Sequence, residues 1–452
     1  MPTAVADWLA PDGPLALALP GFESRPEQER MAAAVAEAFA APHHLAVEAG
    51  TGVGKTFGYL LPALEQVFDA DKRIVVSTHT IALQEQLIHK DLPLLRRALG
   101  RDFRAELVKG RHNYLGLRRL AEASKRQQQL FADTRTRSAL HVIEDWAYKT
   151  QDGSLSDLST APPPDVWEKV RSEHNNCLGR RCATYETCFY QRARRRAEQA
   201  NLLVVNHALL IADLVLRRDN ASVLPNYDLA IIDEAHTLDQ VATGQLGRGV
   251  SGPQVQYALA NLFNERTGKG LLAELGDEGD RDAVVAAAAA ATAFFRELRH
   301  WQIGSGRSNG RLVRPDPVAN PLSPALRAMN ARLEELRPRL PREDDQYELN
   351  ASLQRSAEAA ADVEALLSQS LPEHVYWIEA DTDRAPRQAA ARGGSARGAA
   401  LRGGPNASTR VSLHAAPLNP GQMLREMLFE RVPSVILTSA TLATSGAEPF
   451  AY

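Results

Sequence analysis

Apolar and polar positions fall along this chain in blocks that predict helix and strand in succession. SRPEQERMAAAVAEAF (24–39) sets Met31, Val35 and Phe39 on one helical face, and Ser24 with Glu27 three residues on forms a capping box. The short run HLAVE (44–48) predicts a strand leading straight into a glycine-rich turn, and FGYLLPALEQVF continues as a helix. RIVVST (73–78) predicts a buried strand, with a helix after it in ALQEQLIHKDL. Apolar strands return at LLVVN (202–206), LAIID (229–233) and SVILTSATL (434–442). Strand–turn–helix units in succession imply a parallel sheet with crossover helices.

Two interruptions break this pattern. Residues 104–199 are polar, basic and helix-prone, and they hold Cys177, Cys182 and Cys188, the only cysteines of the chain. Residues 242–410 are helical by composition and end in a Gly/Arg/Ala stretch (385–410) expected to be a flexible loop. The expected organisation is one α/β core domain, made of 1–103, 200–241 and 411–452, with insertions at 104–199 and 242–410.

Composition changes this picture little. Over 452 residues, 44% apolar and 24% charged content is ordinary for a soluble globular protein. A net charge of −3 means that affinity for nucleic acid must come from local basic patches. The longest apolar run, 283–295, has 13 residues where a membrane span needs about 20, so no membrane association is expected. The N-terminus lacks a basic start before its apolar run, which argues against a signal peptide. With an odd, clustered set of cysteines, this points to the reducing cytoplasm and away from disulfides.

EAGTGVGKT (48–56) follows a strand and opens a helix, the context that a phosphate-binding loop requires. Gly50, Gly52 and Gly54 allow the tight turn in which successive N–H groups, with those of Thr51 and Val53, point at phosphate oxygens. Lys55 suits the β- and γ-phosphates and the Thr56 hydroxyl suits Mg²⁺. The strict form of the motif begins with glycine, where this chain has Ala49. LAIIDEAH (229–236) supplies the complement: Asp233 at a strand end beside the Mg²⁺, and Glu234 to orient the attacking water. The two together imply hydrolysis of a nucleoside triphosphate.

DEAH after such a loop resembles the superfamily 2 helicases, and neighbouring residues narrow the likeness. RPEQ (25–28) resembles the adenine-recognition motif, with Arg25 nearby and Gln28 as the base contact. STHTIALQEQL (77–87) resembles motif Ia, and KGRHNYLG (109–116), VVNHALL (204–210) and LTSATL (437–442) complete a set similar to the DinG-like branch of the XPD-type helicases. The resemblance covers nearly the whole chain. It implies a RecA-like P-loop motor domain with an iron–sulfur insertion and a helical arch insertion. It also implies ATP and Mg²⁺ as cofactors and 5′→3′ movement on single-stranded DNA. Forked or damaged duplexes at repair or replication obstacles would be the substrates, and replication or repair proteins the partners. His236 and Thr438–Thr441 would couple hydrolysis to DNA. The family's second motor domain, with its Gln-x-x-Gly-Arg-x-x-Arg segment, has no counterpart in this sequence. An ATP- and DNA-binding unit without translocation is therefore the competing reading, and an ATP-coupled nuclease finds no support in the residues before Ser24.

Three thiols within twelve positions suggest a metal or cluster, yet such sites usually want four ligands. In the resembled family the first cysteine falls where this chain has Gly116, which has no side chain to ligate iron. Three readings stay open: a [4Fe–4S] cluster held by Cys177, Cys182 and Cys188 with water or a nearby side chain at the fourth iron, a site in which His174 or His112 is the substitute ligand, with Zn²⁺ as an alternative metal, or an empty site.

For DNA, the resemblance names Thr78, His79, Thr80 and Gln84 of motif Ia, with Asn206 and His207 at a strand end. The cysteine-bearing insertion adds Lys109, Arg111, Arg118 and Arg119 on one arm, and Arg180, Arg181, Arg192 and Arg194–Arg196 on the other. Tyr185, Phe189 and Tyr190 are interleaved as stacking candidates, since cationic grooves with aromatic platforms hold single strands.

Overall fold

The computed structural model describes residues 4–131, 133–304, 309–380 and 411–443. Five of its strands coincide with the apolar runs: β1 (Leu45–Glu48), β2 (Ile74–Thr78), β4 (Leu202–Asn206), β5 (Leu229–Asp233) and β10 (Val435–Ser439). With β3 (Ala105–Leu107) they form a six-stranded sheet in the order β1-β10-β5-β2-β4-β3, parallel throughout. Helices cover both faces. Ile74 and Val76 pack on one side with Leu60 and Leu64 of the helix Lys55–Ala70 and Val35 of Pro26–Ala40. Val75, Leu203 and Ala230 pack on the other with Leu210 of His207–Arg218 and Leu238 of Leu238–Leu246. Burial on both faces explains why these strands read as continuous apolar runs and not as alternation.

The register decides where chemistry can occur. Glu48 pairs with Ser439, Thr438 with Asp233, and Thr78 with Asn206. Strands β1, β10, β5, β2 and β4 thus end at one edge of the sheet, where open α/β folds bind ligands.

Each insertion has its own core. The first packs Tyr114, Leu115, Leu140, Ile143, Trp167, Val170, Phe189 and Tyr190 together. The second is built on three helices, Glu278–Gly304, Leu322–Leu336 and Glu343–Leu367, packed around Phe294, Leu326 and Leu349. The Ala-rich run lies inside the first of these, and no helix among the described residues is long and apolar enough to cross a membrane.

Several details depart from expectation. The first long helix begins at Pro26 with Arg25 as its cap residue, and the Ser24 hydroxyl bonds the Glu29 carboxylate in place of a capping box. Proline fits the first helical position, which puts the cap at Arg25, one residue past Ser24. Strand β3 belongs to the main sheet although it lies beyond residue 103. The second insertion, expected to be helical, also carries an antiparallel sheet of β6 (Arg248–Ser251), β7 (Arg311–Leu312), β8 (His374–Ala380) and β9 (Val411–Pro417). Strand β9 lies past residue 410 yet pairs with β8 and β6, because Val411, Leu413 and Ala415 complete that core. The Gly/Arg/Ala stretch falls outside the described residues, apart from its neighbours on β8 and β9.

Leu64 is fully buried on the helix that carries the phosphate loop. Leu64→Ala should cost about 2–5 kcal/mol of stability, measured by urea denaturation.

Candidate functional site: a phosphate loop at the carboxyl edge of the sheet

Gly54 caps the helix Lys55–Ala70 in the left-handed region, at φ 84°, and Gly52 sits at φ 88°. No other residue takes these angles readily. Gly54 is constrained a second way: the Gln28 amide donates to its carbonyl at 2.8 Å, and a Cβ there would lie 2.2 Å from that amide nitrogen. The Arg25 guanidinium bonds the Gly52 carbonyl. Arg25 and Gln28 therefore brace the outside of the loop, while the amide of Ala49 donates to the Ser439 carbonyl at 3.0 Å. Thr56 follows Lys55 in the first helical turn.

Asp233 and Glu234 stand opposite. Lys55 Nζ lies 3.4 Å from Glu234 Oε1. Asp233 is 7% exposed and accepts from the Tyr59 hydroxyl at 3.2 Å and from the Glu234 amide at 3.0 Å. Burial pushes the Asp233 carboxyl up, the Glu234 charge adds to this, and Lys55 and Tyr59 offset it only in part. A buried carboxylate left short of positive charge, beside a threonine hydroxyl, fits a hard divalent cation. Thr56 and Asp233 would hold Mg²⁺, which would neutralise charge on the β- and γ-phosphates.

Glu234 adopts φ 56°, ψ 43°, a conformation that costs a non-glycine residue about 1–3 kcal/mol. The turn aims its carboxylate back over the loop. Its Oε2 lies 3.4 Å from both His236 Nδ1 and Ser439 Oγ, which lie 2.7 Å from each other. DEAH is thereby joined to the segment after β10. Glu48 makes a further link, accepting the Leu442 and Ala443 amides at 2.7 and 2.6 Å, and these bonds lower its pKa. Tyr59 and Glu48 carry no motif signal of their own; only the register of β1, β5 and β10 shows their part.

At motif Ia, Thr80 caps the helix Ile81–Gln86 by accepting from the Leu83 amide at 3.3 Å, and a π-helical turn, Leu87–Asp91, follows. Thr78 and Gln84 are buried, while His79 and Thr80 face solvent. Asn206 accepts from the Leu209 amide at 2.8 Å as cap of the helix His207–Arg218. His207 Nδ1 lies 2.7 Å from Ser77 Oγ, and burial pushes its pKa down to about 4, so it is neutral near pH 7.

In the first insertion several of the named groups turn inward. Lys109 donates to Ser154 and Ser156 at 2.7 Å each, and Arg111 lies over the Tyr190 ring at 4.0 Å. Phe189 and Tyr190, read as stacking candidates, are core residues at 5% and 6% exposure; Phe189 rests on Gly153, which has no side chain to displace it. Arg119 is buried against Glu173 at 3.3 Å, and Arg118 lies 2.7 Å from Asp344. Arg180, Arg181 and Arg194–Arg196 remain exposed, and Tyr185 is half-buried.

The cysteines do not fit an iron–sulfur or zinc centre. Among the described residues no group of three or more His, Cys, Asp or Glu side chains could hold a metal. The Gly116 amide is bonded to the Val170 carbonyl at 2.8 Å, and a Cβ there would already lie 3.2 Å from that oxygen. Cys188 packs on the insertion core, where burial raises its thiol pKa, and Cys182 Sγ lies 3.2 Å from the Thr184 hydroxyl. His112 and His174 are both exposed, and the His112 pKa is lowered by desolvation first and by Arg171 next.

The parallel sheet thus gathers a phosphate loop, a DEAH turn and a Thr-Ser-Ala-Thr segment at one edge, the arrangement of a P-loop nucleotide-binding domain. Residues 25–152 match the family described as DEAD/DEAH box helicase. It is 40% identical over 253 residues to the ATP-dependent DNA helicase YoaA of Escherichia coli (strain K12), covering 56% of this chain and 39% of that one. It is 40% identical over 240 residues to the ATP-dependent helicase DinG of Mycobacterium tuberculosis (strain H37Rv), covering 50% and 36%. The 3'-5' exonuclease DinG of Bacillus subtilis (strain 168) is 26% identical over 485 residues, or 96% of this chain and 47% of that one. This chain thus spans less than half the length of these relatives. A solved structure, that of S. tokodaii Xpd4, aligns at a TM-score of 0.43 and 11% identity over 95% of this chain and 60% of that one.

Because its pKa is raised, folded Asp233 holds its proton more tightly than the unfolded chain does. Stability is then lost as pH rises from the ordinary carboxylate range through the raised value. Asp233→Asn should therefore melt no lower than the parent at pH 7, read by thermal denaturation without Mg²⁺, while losing Mg²⁺-dependent hydrolysis.

Proposed function

We propose that this chain is the first motor domain of a cytoplasmic ATP-dependent DNA helicase. It would move 5′→3′ on single-stranded DNA and act on forked or damaged duplexes in repair or replication. The observation carrying this reading is the contact of Glu234 with His236 and Ser439, which links a water-orienting carboxylate to the segment after β10. The names of the relatives support DNA as the substrate.

In this reading Gly50–Gly54 and the helix start at Lys55 cradle the phosphates. Lys55 leaves Glu234 to meet the incoming negative charge, and the freed Glu234 orients water. Gln28 and Arg25 stand at the entrance for the adenine. Exposed His79 and Thr80 contact the DNA backbone, with the arginines of 180–196 contributing charge.

A second reading is an ATP- and DNA-binding unit without translocation. The 3.4 Å pair of Lys55 with Glu234 favours it, since the base is engaged by the residue that must release it.

ATP turnover with and without single-stranded DNA tests both. The helicase reading expects turnover that DNA stimulates and that Lys55→Ala lowers by at least about a hundredfold with the fold intact. Binding of both ligands without turnover would favour the second reading, and absence of nucleotide binding would sink both.

A further inference from the structure

The two insertions meet across a surface made of charge. Arg126 lies 2.6 Å from Asp345, Arg118 lies 2.7 Å from Asp344, and Arg181 lies 3.1 Å from Glu343. All three carboxylates sit in the first turn of the helix Glu343–Leu367, where the helix dipole favours negative charge. Pairs of the opposite sense accompany them: Arg342 of the second insertion lies 2.6 Å from Glu122 of the first, and Arg355 lies 2.6 Å from Glu173.

These bonds converge on the segment that leads into the cysteines. Glu173 is held by Arg119 from its own insertion and by Arg355 from the other, at 3.3 and 2.6 Å. Asn176, one residue before Cys177, has its carbonyl held by Arg118 at 2.7 Å, and its amide donates to Glu348. Asp345 is 2% exposed and Glu173 8%, so the clasp is buried at its centre, while at its rim Arg181 and Glu343 stay exposed and Arg342 half-exposed. Buried charges of this kind are costly when one partner is removed.

We propose that this arginine–carboxylate clasp, and not a metal centre, fixes the cysteine-bearing insertion against the second insertion in this protein. Two observations made independently of each other support it. Gly116 is pinned to Val170 and offers no ligand, and each tie on the 173–176 segment comes from an arginine, an amide or a carboxylate. The insertion is then held in its place without iron or zinc.

The test uses the full chain, purified anaerobically and exposed to iron and sulfide or to zinc, then assayed for bound metal and for thermolysin cleavage within 104–199. The expected result is less than stoichiometric metal and a cleavage rate that a chelator does not change. Arg126→Glu should raise that rate about tenfold, and adding Asp345→Arg should return it to within about twofold of the parent. Should Arg126→Glu fail to fold, the more exposed pair Arg342→Glu with Glu122→Arg gives the same comparison. One metal centre per chain whose removal speeds cleavage would overturn the proposal. So would charge reversals that leave cleavage unchanged or that the second reversal does not rescue.

Discussion

A carboxylate buried at the end of a central strand is the constraint around which this molecule is arranged. Asp233 is nearly out of water, flanked by the negative charge of Glu234, and Lys55, Tyr59 and the Glu234 amide offset the cost only in part. Left alone, such a group would be expelled or protonated. The fold keeps it by giving β5 neighbours on both sides, β10 and β2, and by curling the phosphate loop over it. The same arrangement that makes the site unfavourable when empty makes it receptive to a cation with its phosphates.

Around that point the loop is braced from outside. Gln28, Arg25 and the Ser439 carbonyl hold loop backbone, leaving the inward N–H groups of 50–54 free for a ligand. The brace from Ser439 comes from the far end of the described chain. Nucleotide and the segment after β10 therefore cannot move independently. Further out, the contact between the two insertions uses ion pairs, although each insertion, like the motor domain, is packed around apolar residues of its own.

The motor domain was largely legible in the sequence because its strands are buried on both faces and end in motifs. The runs at 45–48, 74–78, 202–206, 229–233 and 435–439 needed no partner to be recognised. Strand β3 did not show itself, since it is three residues long, half-buried, and centred on Glu106. The antiparallel sheet was hidden for another reason. Its strands are interleaved with long helices, and the pairing of β6 with β9 joins residues more than 150 apart, as Val250 with Leu413. The fate of the basic residues was the least legible. Arg118 reads as a DNA contact until its partner Asp344, 226 residues away, is in view. Phe189 and Tyr190 likewise read as platforms because a charged helix hides which of its residues face inward.

The position of β10 in the sheet has a consequence for how this protein is made. It lies between β1 and β5, so the strand bearing the phosphate loop has no sheet neighbour until residues 435–439 have left the ribosome. Both insertions, each with its own core, are synthesised first and can fold as units during that delay. Meanwhile the edge of β5 stays open beside an unpaired β1, which is the kind of exposed apolar edge that invites association with other chains. The edge that carries the phosphate loop is thus assembled only once synthesis has passed β10.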